Sequence, residues 1–122
     1  MSKTTLQSLQ DSIKDFVHAR EWGQFHSPKN LSFALFVEAA EIAEIFTWAS
    51  NESSVSVARE KYAEIRKEIA DVFIYVLLLA DKIGCDPIDA AWDKLSENEA
   101  RYPISKAKGN AQKYTDLHKP EA

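Results

Sequence analysis

LFVEAAEIAEIF, residues 35–46, and KEIADVFIYVLLL, residues 67–79, put four carboxylates where an apolar helix face is expected. Glu38 and Glu41 are spaced i, i+3, as are Glu68 and Asp71, so each pair shares one face of its helix. Ionised carboxylates are costly among core residues unless something compensates their charge. No matching set of Lys or Arg lies on the same stripes. Two such helices, antiparallel and face to face, bring Glu38, Glu41, Glu68 and Asp71 to one point. Hard oxygen ligands in that number suit Mg²⁺, or Mn²⁺, rather than zinc. A magnesium site of this kind keeps waters and takes phosphate oxygens from its substrate. Solvated faces also carry ExxE pairs, and Glu44 and Glu64, at the margins of the stripes, read as solvated.

Outward from these segments, helical periodicity predicts an all-α fold of four helices. Leu6, Leu9, Ile13, Phe16 and Val17 mark the first, from about Thr5 to Arg20. Pro28 opens the second, which is expected to run to Trp48, followed by a loop at 51–56. The third starts near Val57 and ends at Lys82 or Ile83, with Gly84 as its cap. Asp86-Pro87 caps and opens the fourth, which Pro103 stops after Arg101. Residues 103–122 read as an extended basic tail, and the whole of 1–122 as one domain. At about 100° per residue, the second helix carries Leu31, Leu35, Ile42 and Ile45 beside its glutamates and Phe33, Phe36, Ala39, Ala40 and Ala43 opposite. A helix apolar almost all round needs more cover than a chain this short supplies. Self-association into a homo-oligomer is therefore expected.

The composition is that of an ordinary soluble protein: 45% hydrophobic and 28% charged residues, with a net charge of −4. That charge gives no electrostatic footprint for nucleic acid. The lone Cys85 forms no internal disulfide and points to a reducing, cytoplasmic setting. The first residues lack the apolar run of a signal peptide, and Asp71 and Asp81 interrupt the most apolar stretch, so no membrane span is expected.

EAAE at 38–41 followed by EIAD at 68–71 resembles the ExxE…ExxD motif of the MazG-like all-α nucleoside triphosphate pyrophosphohydrolases. REWGQFHSPKNL, EIFTW, DVFIYVLLLA, the K-x₃-N-x₂-RYP of 94–103 and KYTDL of 113–117 are similar to the dCTP pyrophosphatase branch. The resemblance implies Mg²⁺-dependent hydrolysis of a nucleoside triphosphate, dCTP or a modified dCTP, to monophosphate and pyrophosphate. It implies a house-cleaning role in the nucleotide pool and a homotetramer built as a dimer of dimers. It also assigns the metal to Glu38, Glu41, Glu68 and Asp71, with Glu38 or Glu41 orienting or deprotonating the attacking water.

The remaining motif residues divide between phosphate and base. Lys94, Asn98 and Arg101 share a helix face. Lys94, Arg101 and Tyr102 are candidates for phosphate, with Asn98 turned to base or sugar. Tyr75, one turn after Asp71, either reaches a phosphate or sits in the core with its hydroxyl satisfied. Trp22 and Trp48 offer faces for stacking on a base, against the alternative of core packing, which Trp92 is expected to take. His26 either bonds the base or caps its loop, and Asn30 is a candidate cap for the second helix. The branch carries a histidine on the first helix where this chain has Ile13, a change that loosens base selection. Two other readings remain: a non-catalytic helical oligomer that binds nucleotides or a protein partner, and a di-iron bundle. The second lacks the Glu-x-x-His motifs such sites use.

Overall fold

The computed structural model describes residues 5–120 and is all-helical, with no strand among the described residues. The helices are α1 (Leu6–Ala19), α2 (Pro28–Ile45), α3 (Asn51–Glu60), α4 (Tyr62–Lys82), α5 (Pro87–Arg101), α6 (Ile104–Ala107) and α7 (Tyr114–Leu117). A 3₁₀ turn, Trp22–Phe25, lies between α1 and α2.

Among the described residues seven helices replace the expected four, and each difference has a local origin. The stretch expected as a loop at 51–56 is the start of α3. Ser50 accepts a hydrogen bond from the Ser53 N–H while Ser53 Oγ accepts one from the Ser50 N–H, a reciprocal cap that turns a polar tract into a helix N-terminus. Lys61 (φ −98°, ψ 16°) then separates α3 from α4, where one continuous helix from Val57 was expected. The segment read as extended beyond Pro103 contains the single turns α6 and α7. At its other end α2 stops at Ile45, short of Trp48, and Thr47 Oγ1 donates to the Glu44 carbonyl there. Gly84 behaves as the sequence predicts. Its φ of +71° lets the Cys85 N–H reach the Ala80 carbonyl at 2.8 Å and its own N–H reach Asp81, closing α4 in a Schellman motif.

α2 packs chiefly on α4. Leu31 shares a cavity wall with Leu78 and Asp81, Glu38 shares a hydrogen bond with Glu68 and feels the charge of Asp71, and Glu44 lines a cavity with Glu64 and Lys61. Rising numbers on α2 thus meet falling numbers on α4, an antiparallel pair. α1 lies on α4 as well, with Ile13 buried and Lys14 Nζ 3.1 Å from Asp81 Oδ1. Leu31, Leu77 and Ala80 complete a small buried core. Around it, Phe33, Phe36, Ile69 and Phe73 stay exposed, Phe36 at 70%. All four are large apolar side chains on the two helices that carry the acids. Trp92, expected in the core, is 66% exposed. The residues up to Cys85 form one unit and those from Asp86 onward, holding α5, α6 and α7, form a second. Among the described residues no helix is long and apolar enough to cross a membrane.

Candidate metal and nucleotide site

The antiparallel register sets Glu38 and Glu41 of α2 against Glu68 of α4. One carboxylate oxygen of each lies within 4.8 Å of the others. The Oε2 atoms of Glu38 and Glu68 are buried and have no hydrogen-bond partner. If all three groups are ionised, each of these oxygens faces only other acceptors. A proton or a cation has to enter.

The proton's effect is visible in the acidities. The Glu68 carboxyl is pushed up to about 7 from an ordinary 4.5, by hydrogen bonding to Glu38 and to Glu41, then by burial and by repulsion from both. Glu38 is also raised. The hydrogen bond from Glu68 lowers its pKa, but burial, its contacts with Glu41 and the charge of Asp71 outweigh that. A divalent cation with oxygen ligands would satisfy the same orphaned atoms without a proton, so the donor set fits Mg²⁺ or Mn²⁺. Asp71, one turn further along α4, stands outside the 4.8 Å group and is exposed.

Asp71 instead lines a neighbouring cavity of about 380 Å³ with Ile13, Phe16, Trp22, His26 and Tyr75. The path of the chain explains how Trp22 arrives there. Glu21, at φ 53°, takes the left-handed conformation directly after α1 and folds the 3₁₀ turn back, so Trp22 meets Phe16 edge-on at 5.5 Å. Ser27, not Asn30, caps α2; Asn30 donates from Nδ2 to the Phe25 carbonyl and secures the loop beneath His26. The aromatic wall and the acidic cluster therefore adjoin through Asp71. Trp48 lies apart, beyond the end of α2, and is 97% exposed.

On the other side of the cluster, Glu41, Glu44, Lys61, Glu64 and Glu68 line a cavity of about 460 Å³. Glu44 and Glu64, read as solvated, are exposed and border it. Lys61 was not singled out from the sequence. The signal that could have found it is the α4 stripe, on which 61, 64, 68, 71 and 75 recur at helical spacing.

Lys94, Asn98, Arg101 and Tyr102 belong to the second unit. Glu97 gathers its cations, with Lys94 Nζ at 3.2 Å and Arg101 Nη2 at 2.6 Å. The hydrogen bond from Lys94, followed by the charges of Arg101 and Lys94, holds Glu97 below its ordinary pKa. The Arg101 guanidinium also stacks over Tyr114 at 4.5 Å, and Tyr102 meets the same ring edge-on at 6.3 Å. His118 Nε2 lies 3.0 Å from the Arg101 carbonyl, tying the residue after α7 to α5. Asn98 is half-buried, and its backbone carbonyl accepts from the Tyr102 N–H.

The family model of MazG-like proteins matches residues 34–117, which include all four acids of the two motifs. The chain belongs to the MazG-like family. Among curated proteins, this MazG-like chain is 38% identical to dCTP pyrophosphatase 1 of Bos taurus over 119 residues, 95% of this chain and 70% of that protein. It is 34% identical to dCTP pyrophosphatase 1 of Homo sapiens, over 93% of this chain and 68% of that protein. The crystal structure of a pyrophosphatase from Archaeoglobus fulgidus superposes with a TM-score of 0.79 at 36% identity, covering 84% of this chain and 96% of the archaeal one.

The crowded carboxylates tie stability to pH. A group whose pKa is raised on folding stabilises fully below its unfolded value, and that contribution fades as pH rises through the folded value. For Glu68 the window runs from about 4.5 to about 7. The melting temperature of metal-free protein is expected to fall across this range, and Glu68→Gln to flatten the fall. Thermal melts of both proteins from pH 5 to 8 check this. Identical profiles would show that Glu68 carries no shared proton.

Proposed function

We propose that this chain is a Mg²⁺-dependent nucleoside triphosphate pyrophosphohydrolase acting on dCTP or modified dCTP, releasing the monophosphate and pyrophosphate in nucleotide-pool cleansing. The pyrophosphohydrolase activity follows from family membership and from relatives named for dCTP pyrophosphatase over more than nine-tenths of the chain. The single observation that carries the mechanism is the trio Glu38, Glu41 and Glu68, with its two orphaned buried oxygens.

In the hydrolysis, a water oxygen bonds to the α-phosphorus, the bond from that phosphorus to the β-bridging oxygen breaks, and pyrophosphate leaves with its electron pair. The bound metal supplies charge neutralisation on the phosphates and lowers the pKa of water. Glu38, Glu41, Glu68 and Asp71 would hold it. Glu38 or Glu41 has the further duty of orienting the attacking water and taking its proton; Glu41 is the more exposed and borders a cavity. The cytosine ring enters the cavity of Trp22 and His26, with Tyr75 turned toward phosphate. Lys94, Arg101 and Tyr102, in the second unit, bind phosphate oxygens and Asn98 the nucleoside. Ile13, buried and lining the aromatic cavity, gives the base an apolar neighbour with no hydrogen bond to offer, which favours tolerance of substituted bases.

The enzyme works in the cytoplasm as a homotetramer, a dimer of dimers. The exposed faces with Phe33, Phe36, Ile69 and Phe73 support self-association, and Trp48 stacks on the base only once a neighbouring copy covers it.

Purified protein incubated with dCTP and Mg²⁺ should yield dCMP and pyrophosphate in equal amounts. Glu38→Gln and Asp71→Asn should each lower kcat by about a hundredfold or more while leaving helix content intact. Orthophosphate as the first product, or full activity in Glu38→Gln, would contradict the mechanism. Light scattering after gel filtration should give four times the mass of the 13.8 kDa chain, and Phe36→Glu should lower that mass. A monomeric wild type would overturn the assembly.

A further inference from the structure

We propose that Lys61 is a phosphate-positioning residue that receives the departing pyrophosphate in the cavity beside the carboxylate cluster. This inference rests on the pyrophosphohydrolase reading and adds to it a residue that neither of its motifs contains.

The stripe on α4 acts as a ruler. Tyr75 and Asp71 border the aromatic cavity, Glu68 lies in the carboxylate trio, and Glu64 and Lys61 border the second cavity. At 1.5 Å per residue, Lys61 lies about 10 Å from Glu68 along the helix, and Tyr75 a similar distance the other way. With the base beside Trp22 and His26 and the α-phosphorus at the trio, the β- and γ-phosphates extend away from the base, toward Lys61.

The charges in that second cavity are unequal. Glu41, Glu44, Glu64 and Glu68 line it, and among the described lining residues Lys61 is the cation. Ile45, the remaining lining residue, is apolar, so the attraction a pyrophosphate meets there comes from the Lys61 ammonium and any cation it brings. The ammonium is also available. Its contact with Glu64 is 3.9 Å, and both side chains are more than half exposed, at 57% and 55%. An exposed pair at that distance holds its partner weakly. A charge-assisted bond to a phosphate oxygen is stronger and shorter. The position is sharply defined by the backbone too, since Lys61 is the residue at which α3 gives way to α4.

The two products of the reaction separate this role from a general one. In calorimetric titrations of the full chain with Mg²⁺, wild type should bind both inorganic pyrophosphate and dCMP. Lys61→Ala and Lys61→Gln should weaken pyrophosphate about tenfold, as expected for loss of one charge-assisted contact, and leave dCMP within about twofold. Lys61→Arg should retain most of the pyrophosphate affinity. Unchanged pyrophosphate binding in Lys61→Ala, or equal weakening of both ligands, would overturn the proposal while leaving the pyrophosphohydrolase reading intact. If wild type neither turns over dCTP nor binds either product, that reading falls and this one with it. Lys61 is exposed, so circular dichroism of the variants should match wild type.

Discussion

Three carboxylates within 4.8 Å of one another, two with buried oxygens that lack a donor, set the terms for the rest of this molecule. Like charges at that separation repel strongly wherever water is excluded. The fold nevertheless brings them together by packing α2 antiparallel on α4, with Leu31, Leu77 and Ala80 in the buried core. Apolar burial holds the arrangement and the acids strain it. A proton on Glu68 relieves the strain locally, and on the proposed reading a divalent cation would relieve it as well.

The cluster also lies between two cavities with different linings. Toward the end of α4, the aromatic cavity with Trp22, His26 and Tyr75 is suited to a base. Toward its start, the acidic cavity with Lys61 is suited to a metal-bound phosphate group. A single stripe with helical spacing borders both cavities, so on the proposed reading one helix would set the separation between base and leaving group. The exposed phenylalanines on the remaining faces account for why the helices look over-apolar for a chain of 122 residues.

Much of this was legible in the sequence because the strongest signals are local and periodic. The i, i+3 spacing of the acids within apolar runs pointed to facing helices, and Gly84 and Asp86-Pro87 fixed two helix ends by backbone chemistry. Where the reading failed, competing local interactions decided the outcome. Ser50 and Ser53 formed a reciprocal cap in a tract whose composition suggested a loop, and no residue type at Lys61 announced a helix break. Trp92 was expected in the core on hydrophobicity alone and is mostly exposed. In the candidate site, pair spacing located the acids on their helices. It could not reveal that Asp71 would turn toward the aromatic cavity, because that depends on the 3₁₀ turn folded back by Glu21. Lys61 escaped notice because it belongs to no motif and gains its meaning only from the cavity it borders.

The claim on which all this depends is that the carboxylate trio exchanges a proton for a metal. Titration of Mn²⁺ into metal-free protein at pH 6.5, in buffers of different ionisation enthalpy, measures both binding and proton release. The account predicts saturable binding accompanied by net release of protons, with both lost in a Glu38→Gln/Glu68→Gln variant that remains folded. Absence of saturable binding, or the same affinity in that variant, would contradict it.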